Sequence, residues 1–299
     1  MKLLLLSVAA LALAAAVSAA APDLPAVAFN HFYVVVDADS YREIQASSFM
    51  TGELAPFEKR TTVRNDTTYT GIYFYGRRTY FELFEPGPMG TPGTSGLALG
   101  VEAPGAGERV KALWAEALGG ADAGPVTRRT EAAEVPWFEM IYGKGGSAGL
   151  RVWLMEYHRD FLAQWYPDLT PARSITRADV LDRYVAKIGQ AARRDAFLMK
   201  DVACLTLALE PGDRDHLLKH LRAIGYAVRE ETGDVLVSGQ DVRLRIQPAT
   251  AERRGVTEVE LSLQSAPARG GEQRFGATQV SLERARGVLR FGATKAGAR

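Results

Sequence analysis

A histidine and a glutamate, each inside a separate β-pattern, are the residues of this chain best suited to chemistry. His31 lies in Asn30-His31-Phe32-Tyr33-Val34-Val35-Val36-Asp37, and Glu82 lies in Thr79-Tyr80-Phe81-Glu82-Leu83-Phe84-Glu85. Side chains alternate along a strand, so His31, Tyr33 and Val35 share one face, and Glu82 shares a face with Phe84. An imidazole and a carboxylate that meet in a cup between neighbouring strands can hold a divalent metal or move a proton. Glu82 is then the candidate catalytic group, and Glu139 or His158 is the candidate third metal ligand. Tyr33, Tyr73, Tyr75, Phe84, Trp137 and Trp153 offer aromatic surface for the wall of a small-molecule pocket. Each of them, taken singly, equally suits an ordinary sheet core.

The elements that must position these groups recur in a fixed order: strand, helix, three strands. After the first strand, Ser40 and Glu43 have the spacing of a capping box and announce a helix. Runs rich in β-branched and aromatic residues follow at 58–64, 69–75 and 79–85. The order returns as a strand at 97–101, a helix at 108–118 closed by Gly119-Gly120, and strands at 126–130, 135–142 and 150–157. Gly96, Ala98 and Gly100 fall on the inner face of this second module and leave room for a ligand or for large aromatics opposite. Pro167 and Pro171 punctuate a helical connector over 159–198, whose main helix begins at Thr176. Beyond it the pattern predicts a strand at 202–209, a helix at 213–224, three short strands to 247, and three more at 257–264, 279–283 and 287–291. These make a third module and a degenerate fourth. The fold class is therefore α+β, built of repeated βαβββ modules, with paired modules at about 27–87 and 96–158, the connector, and a smaller related C-terminal domain over 199–292.

At these residues the chain resembles the vicinal oxygen chelate superfamily, which includes glyoxalase I, extradiol dioxygenases and antibiotic-resistance binding proteins, and is most similar to secreted bacterial members of unassigned function. The resemblance implies that a first-strand histidine and a fourth-strand glutamate of each module point into a shared cup and bind metal. His31 and Glu82 match those places in the first module. Aligning Val101-Glu102-Ala103 with Val36-Asp37-Ala38 puts Gly96 at the histidine place of the second module. Aligning Leu154-Met155-Glu156 with Leu83-Phe84-Glu85 puts Trp153 at its glutamate place. Half of the implied metal shell is absent.

Other features narrow the class of function. Met1-Lys2, an apolar run from Leu3 to Val17, and Ser18-Ala19-Ala20-Ala21 before Pro22 read as a signal peptide over 1–21, so the expectation is an exported protein, periplasmic or extracellular, with no membrane span once the leader is removed. A formal net charge of +1 gives no field that would draw in nucleic acid. Cys204, the single cysteine, excludes an internal disulfide and a thiolate metal site and is expected in the core. His216 and His220 have helical i, i+4 spacing, but no acidic third ligand accompanies them, so they read as a solvated helix face and its edge. No G-x-S-x-G or nucleophile triad is present. The leading expectation is a secreted small-molecule-binding protein with a glyoxalase-like cup. The alternatives are a metal-dependent lyase, isomerase or dioxygenase using a divalent ion, and a non-catalytic interaction module of the cell envelope.

Overall fold

The computed structural model describes residues 24–129, 133–147, 149–268 and 270–292. The first module runs β1 (Ala28–Val35), α1 (Ala38–Ala46), a π-helical turn at Met50–Leu54, then β2 (Phe57–Val63), β3 (Thr68–Tyr75) and β4 (Tyr80–Phe84). The second runs β5 (Ser95–Gly100), α2 (Ala106–Leu118), β6 (Ala121–Arg129), β7 (Glu134–Gly143) and β8 (Leu150–Tyr157). They join edge to edge as one eight-stranded sheet in the order β2-β3-β4-β1-β5-β8-β7-β6. The helix start differs from the sequence expectation. Asp37, not Ser40, caps α1, its carboxylate accepting from the Ser40 amide at 2.9 Å. Glu43 instead accepts from the Gly276 amide at 2.7 Å.

The helices α3 (Arg159–Ala163) and α4 (Arg177–Lys187) and a 3-10 turn at Ala191–Ala196 lead to the C-terminal half. Thr176 and Asp179 form a reciprocal capping box at the start of α4. Next come β9 (Met199–Leu209), α5 (Pro211–Ala223), β10 (Ala227–Glu231), β11 (Asp234–Ser238), β12 (Arg243–Pro248), β13 (Gly255–Leu263), β14 (Gly271–Phe275), β15 (Thr278–Glu283) and β16 (Arg286–Phe291). This second sheet repeats the first, with the order β10-β11-β12-β9-β13-β16-β15-β14. Eight strands here make it as complete a sheet as the first, and β14 is the strand that the sequence pattern missed.

The last module lacks its helix, and its strand directions change accordingly. β5 pairs with β8 in parallel, whereas β13 pairs with β16 antiparallel. A parallel return needs a crossover of about a dozen residues or more. Only the seven positions between Leu263 and Gly271 link β13 to β14.

A single apolar core joins the two sheets. It includes Phe32, Phe74 and Phe81 of the first sheet, Trp114 of α2, Leu218 of α5, and Leu205 and Leu289 of the second sheet. Trp114 is fully buried, and its indole N–H donates to the His220 carbonyl at 3.1 Å. Asp201 of β9 accepts from the Thr79 amide at 2.9 Å and from the Arg78 amide at 2.6 Å, tying the start of β4 to the C-terminal half. The outer face of the second sheet carries ion pairs, among them Arg290–Glu258 at 2.7 Å and Arg286–Glu260 at 3.0 Å. Cys204 stands on that face and is half-buried, a correction to its expected place in the core: the β9 side chains that enter the core are Met199, Val202, Leu205, Leu207 and Leu209.

Candidate functional site

The other face of the first sheet is aromatic, and the connector lies on part of it. Phe161 and Leu162 of α3 and Val180, Leu181 and Tyr184 of α4 pack against Tyr73, Tyr75, Trp137 and Phe138. What remains open is a cavity of about 350 Å³ whose wall includes His31, Glu82, Tyr33, Trp153, Trp137 and Arg151.

β1 and β4 position the two polar groups at the inner end of this cavity. They run parallel, with Tyr33 opposite Glu82 and His31 opposite Tyr80. His31 Nε2 lies 3.6 Å from Glu82 Oε1. The ring is held on three sides: Nδ1 donates to Asn30 Oδ1 at 2.9 Å, the Tyr80 ring stacks at 4.3 Å, and Trp153 meets it edge-on at 5.4 Å. With Nδ1 carrying the hydrogen, Nε2 presents its lone pair to the cavity. Burial, helped by the Arg60 charge, pulls the His31 pKa down to about 3. Burial pushes Glu82 up to about 7, against the opposing pull of Arg60, a Tyr80 hydrogen bond and Arg64. The imidazole is therefore neutral at pH 7 and the pair is not an ion pair. At 3.6 Å it is not a direct hydrogen bond either. It is a lone pair beside a carboxyl group poised to titrate near neutrality.

The register also fixes what fills the other half of the cup. Phe32 faces Leu97 across β1 and β5, and Ala98 faces Trp153 across β5 and β8 as Tyr33 faces Glu82. Gly96 thus holds the place of His31 in the second module, and Trp153 holds that of Glu82. The Tyr33 and Trp153 rings occupy the space: a Cβ on Gly96 would sit 2.2 Å from Tyr33 Cε1 and 2.7 Å from Trp153 Cζ3.

Of the residues singled out from sequence, the structure gathers His31, Glu82, Tyr33, Trp137 and Trp153 around one cavity. It does not bring Tyr73, Tyr75, Phe84, Glu139 or His158 there. Tyr73 lies under the Arg60 guanidinium at 4.1 Å, and Tyr75 donates to Glu58 at 2.5 Å and stacks on Tyr184, so both are buried beneath α4. Phe84 packs edge-on against Tyr33 and Tyr69. Glu139 sits within the electrostatic reach of Glu108 and Lys111 of α2, its carboxyl raised first by burial and then by Glu108. His158 caps α3, accepting from the Asp160 amide. Neither Glu139 nor His158 lines the cavity. His220 is fully buried rather than at the edge of a solvated face, because Trp114 and the end of β7 at Gly143 cover it; His216, beside it, forms part of the cavity wall. Arg151, at the rim, carries no motif that marks it in the sequence, although strand alternation from Trp153 puts the two on one face.

These donors do not fit a resident metal. A catalytic zinc-type ion takes three protein ligands and a water. His31 and Glu82 supply two, and among the described residues no group of three or more His, Cys, Asp or Glu is placed so that it could hold a metal ion. The side from which two further ligands would come is filled by aromatic rings.

A model of a family of unknown function, DUF5829, matches residues 29–291. The chain belongs to this family. No curated protein matches the sequence. Among solved structures, the DUF5829 chain is similar to a hypothetical protein from Staphylococcus aureus at 11% identity and a TM-score of 0.45, over 76% of this chain and 88% of that one. It is also similar to a Mn(II)-bound glyoxalase from Novosphingobium aromaticivorans, at 11% identity and a TM-score of 0.42, over 86% of this chain and 77% of the other. A halotolerant catechol dioxygenase is similar at 8% identity and a TM-score of 0.38, over 90% and 89% of the two chains. At such values the likeness adds nothing to the strand order and register, on which the fold assignment rests. That order is the paired-module arrangement implied by the resemblance to the vicinal oxygen chelate superfamily.

Proposed function

We propose that this DUF5829 member is an exported small-molecule-binding protein that takes its ligand into the cup of the first sheet without a resident metal. The observation that carries this reading is the cavity itself: about 350 Å³, walled by Tyr33, Trp137 and Trp153 and ended by a neutral imidazole beside a buried carboxyl. Apolar walls with a few converging polar groups are what small-molecule sites require. Export is supported by the leader pattern at 1–21, which lies outside the described residues. Among the described residues no helix is long and apolar enough to cross a membrane.

A thermal-shift screen of a fragment library on tag-free protein tests the binding reading. Hits should persist in the presence of a chelator and disappear in Trp153→Ala; hits that vanish on chelation would refute a metal-free cup. Amino-terminal sequencing of the mature protein should begin between Ala20 and Pro22, and retention of Met1 would refute export. A second reading, proton transfer by Glu82 on the bound molecule, is favoured by a carboxyl that titrates at about 7. Turnover of a hit that is lost in Glu82→Gln while binding survives would select it.

A further inference from the structure

The polar groups of the cavity fall into two sets with opposite needs. At the inner end, His31 Nε2 and Glu82 Oε1 stand 3.6 Å apart, too far for a direct hydrogen bond between them. A ligand amine satisfies both by donating to each, and a ligand hydroxyl does so by donating to His31 Nε2 while accepting from the protonated Glu82 carboxyl. The rim is the reverse. Tyr33 is 2% exposed, and its hydroxyl has no hydrogen-bond partner. A buried donor left in this state costs stability unless something fills the need. Arg151 lines the same cavity and makes no ion pair among the described residues.

The other arginines near the cup are already engaged. Arg60 pairs with Glu58 at 2.8 Å, and Arg64 makes two hydrogen bonds to Asp66 at 2.8 and 2.7 Å. The register places Glu82, Tyr33, Gly96 and Arg151 in a single row across β4, β1, β5 and β8. The Tyr33 ring leans over Gly96, and so toward Arg151. The Arg151 charge acts on the Tyr33 hydroxyl from one side and Glu82 from the other. Three strand spacings separate the ends of the row, about 14 Å between backbones.

Resting on the reading of the cup as a ligand site, we propose that Tyr33 and Arg151 form an anion subsite. The ligand is an organic acid: an apolar body, a carboxylate held by the Tyr33 hydroxyl and the Arg151 guanidinium, and a hydroxyl or amine held by His31 and Glu82. The bare backbone at Gly96 lets the body lie along the Tyr33 and Trp153 rings.

The test uses the full mature chain and three matched pairs of probes: 4-hydroxycinnamate, indole-3-acetate and octanoate, each with its neutral carboxamide. Binding is read by calorimetry and by quenching of tryptophan fluorescence. At least one acid should bind ten-fold or more tightly than its amide. That preference should fall to within two-fold in Arg151→Ala and in Tyr33→Phe, while both variants retain amide binding. Tyr33→Phe should also melt no lower than the parent, since it deletes an unsatisfied hydroxyl, which separates lost recognition from lost folding. Acids and amides that bind alike, or an acid preference that survives Arg151→Ala, would overturn the anion subsite and leave the cup reading standing. If no acid or amide binds the parent, the cup reading and the subsite fall together.

Discussion

The His31–Glu82 pair is held in a protonation state that folding imposes. Glu82 has its pKa raised by burial from 4.5 to about 7. The folded state therefore holds this proton more tightly than the unfolded chain. The stability it contributes is fully present below pH 4.5 and is lost as pH rises through about 7. His31 runs the other way: its pKa falls from 6.5 to about 3, so its contribution is present above pH 6.5 and is lost as pH falls toward 3. Between pH 4.5 and 6.5 the two slopes oppose each other and the parent should show a plateau. Glu82→Gln removes one slope. We expect it to exceed the parent in stability by about 3 kcal/mol at pH 8 and to match it below pH 4.5, as read from urea unfolding across pH. A gap that does not change with pH would show that burial is not the cause. His31→Asn should replace the parent's plateau between pH 4.5 and 6.5 with a steady decline that runs on to about pH 7, because only the carboxyl's slope is left.

At the scale of elements, the cup is shaped by what intrudes into it: the connector helices on one side and two aromatic rings on the other. Leu181 of α4 is buried against the aromatic face, so Leu181→Ala should cost about 2–5 kcal/mol. Chemical denaturation measures this, and a cost under 1 kcal/mol would mean that α4 only rests on the sheet. Gly96→Ala drives a methyl into Tyr33 and Trp153 and should weaken both folding and ligand binding, whereas Ala98→Gly should leave binding intact. Much of this layout was legible in the sequence, because alternation in β1 and β4 lets His31 and Glu82 share one face of the sheet and because the module order repeats. Tyr73 and Tyr75 were assigned to the pocket because alternation reports a face of the sheet and not what covers it. α3 and α4 supply that cover, and nothing in their own periodicity names their docking partner. β14, with its exposed polar sequence Gly-Glu-Gln-Arg before Phe275, offers no apolar alternation to detect. The cap of α1 slipped by three residues because Asp37 and Ser40 are both good caps, and only the direction of the chain leaving β1 chooses between them.

For the whole molecule, the shared core makes the two sheets partners rather than neighbours. Trp114, Leu218 and Leu289 come from three different stretches of the chain and are enclosed in the same apolar cluster. Calorimetry should accordingly show one cooperative transition, and a fragment ending at residue 158 should remain unfolded or bind hydrophobic dyes, since it would expose the face on which α5 and the second sheet pack. Two resolved transitions would refute this. The Gly143-Lys144-Gly145-Gly146 hairpin lies across His216, and both line the wall of the cavity that holds His31. A chain growing from its amino end therefore cannot complete the pocket while its first half emerges. Its wall closes only when residues made long after the histidine and glutamate are in place.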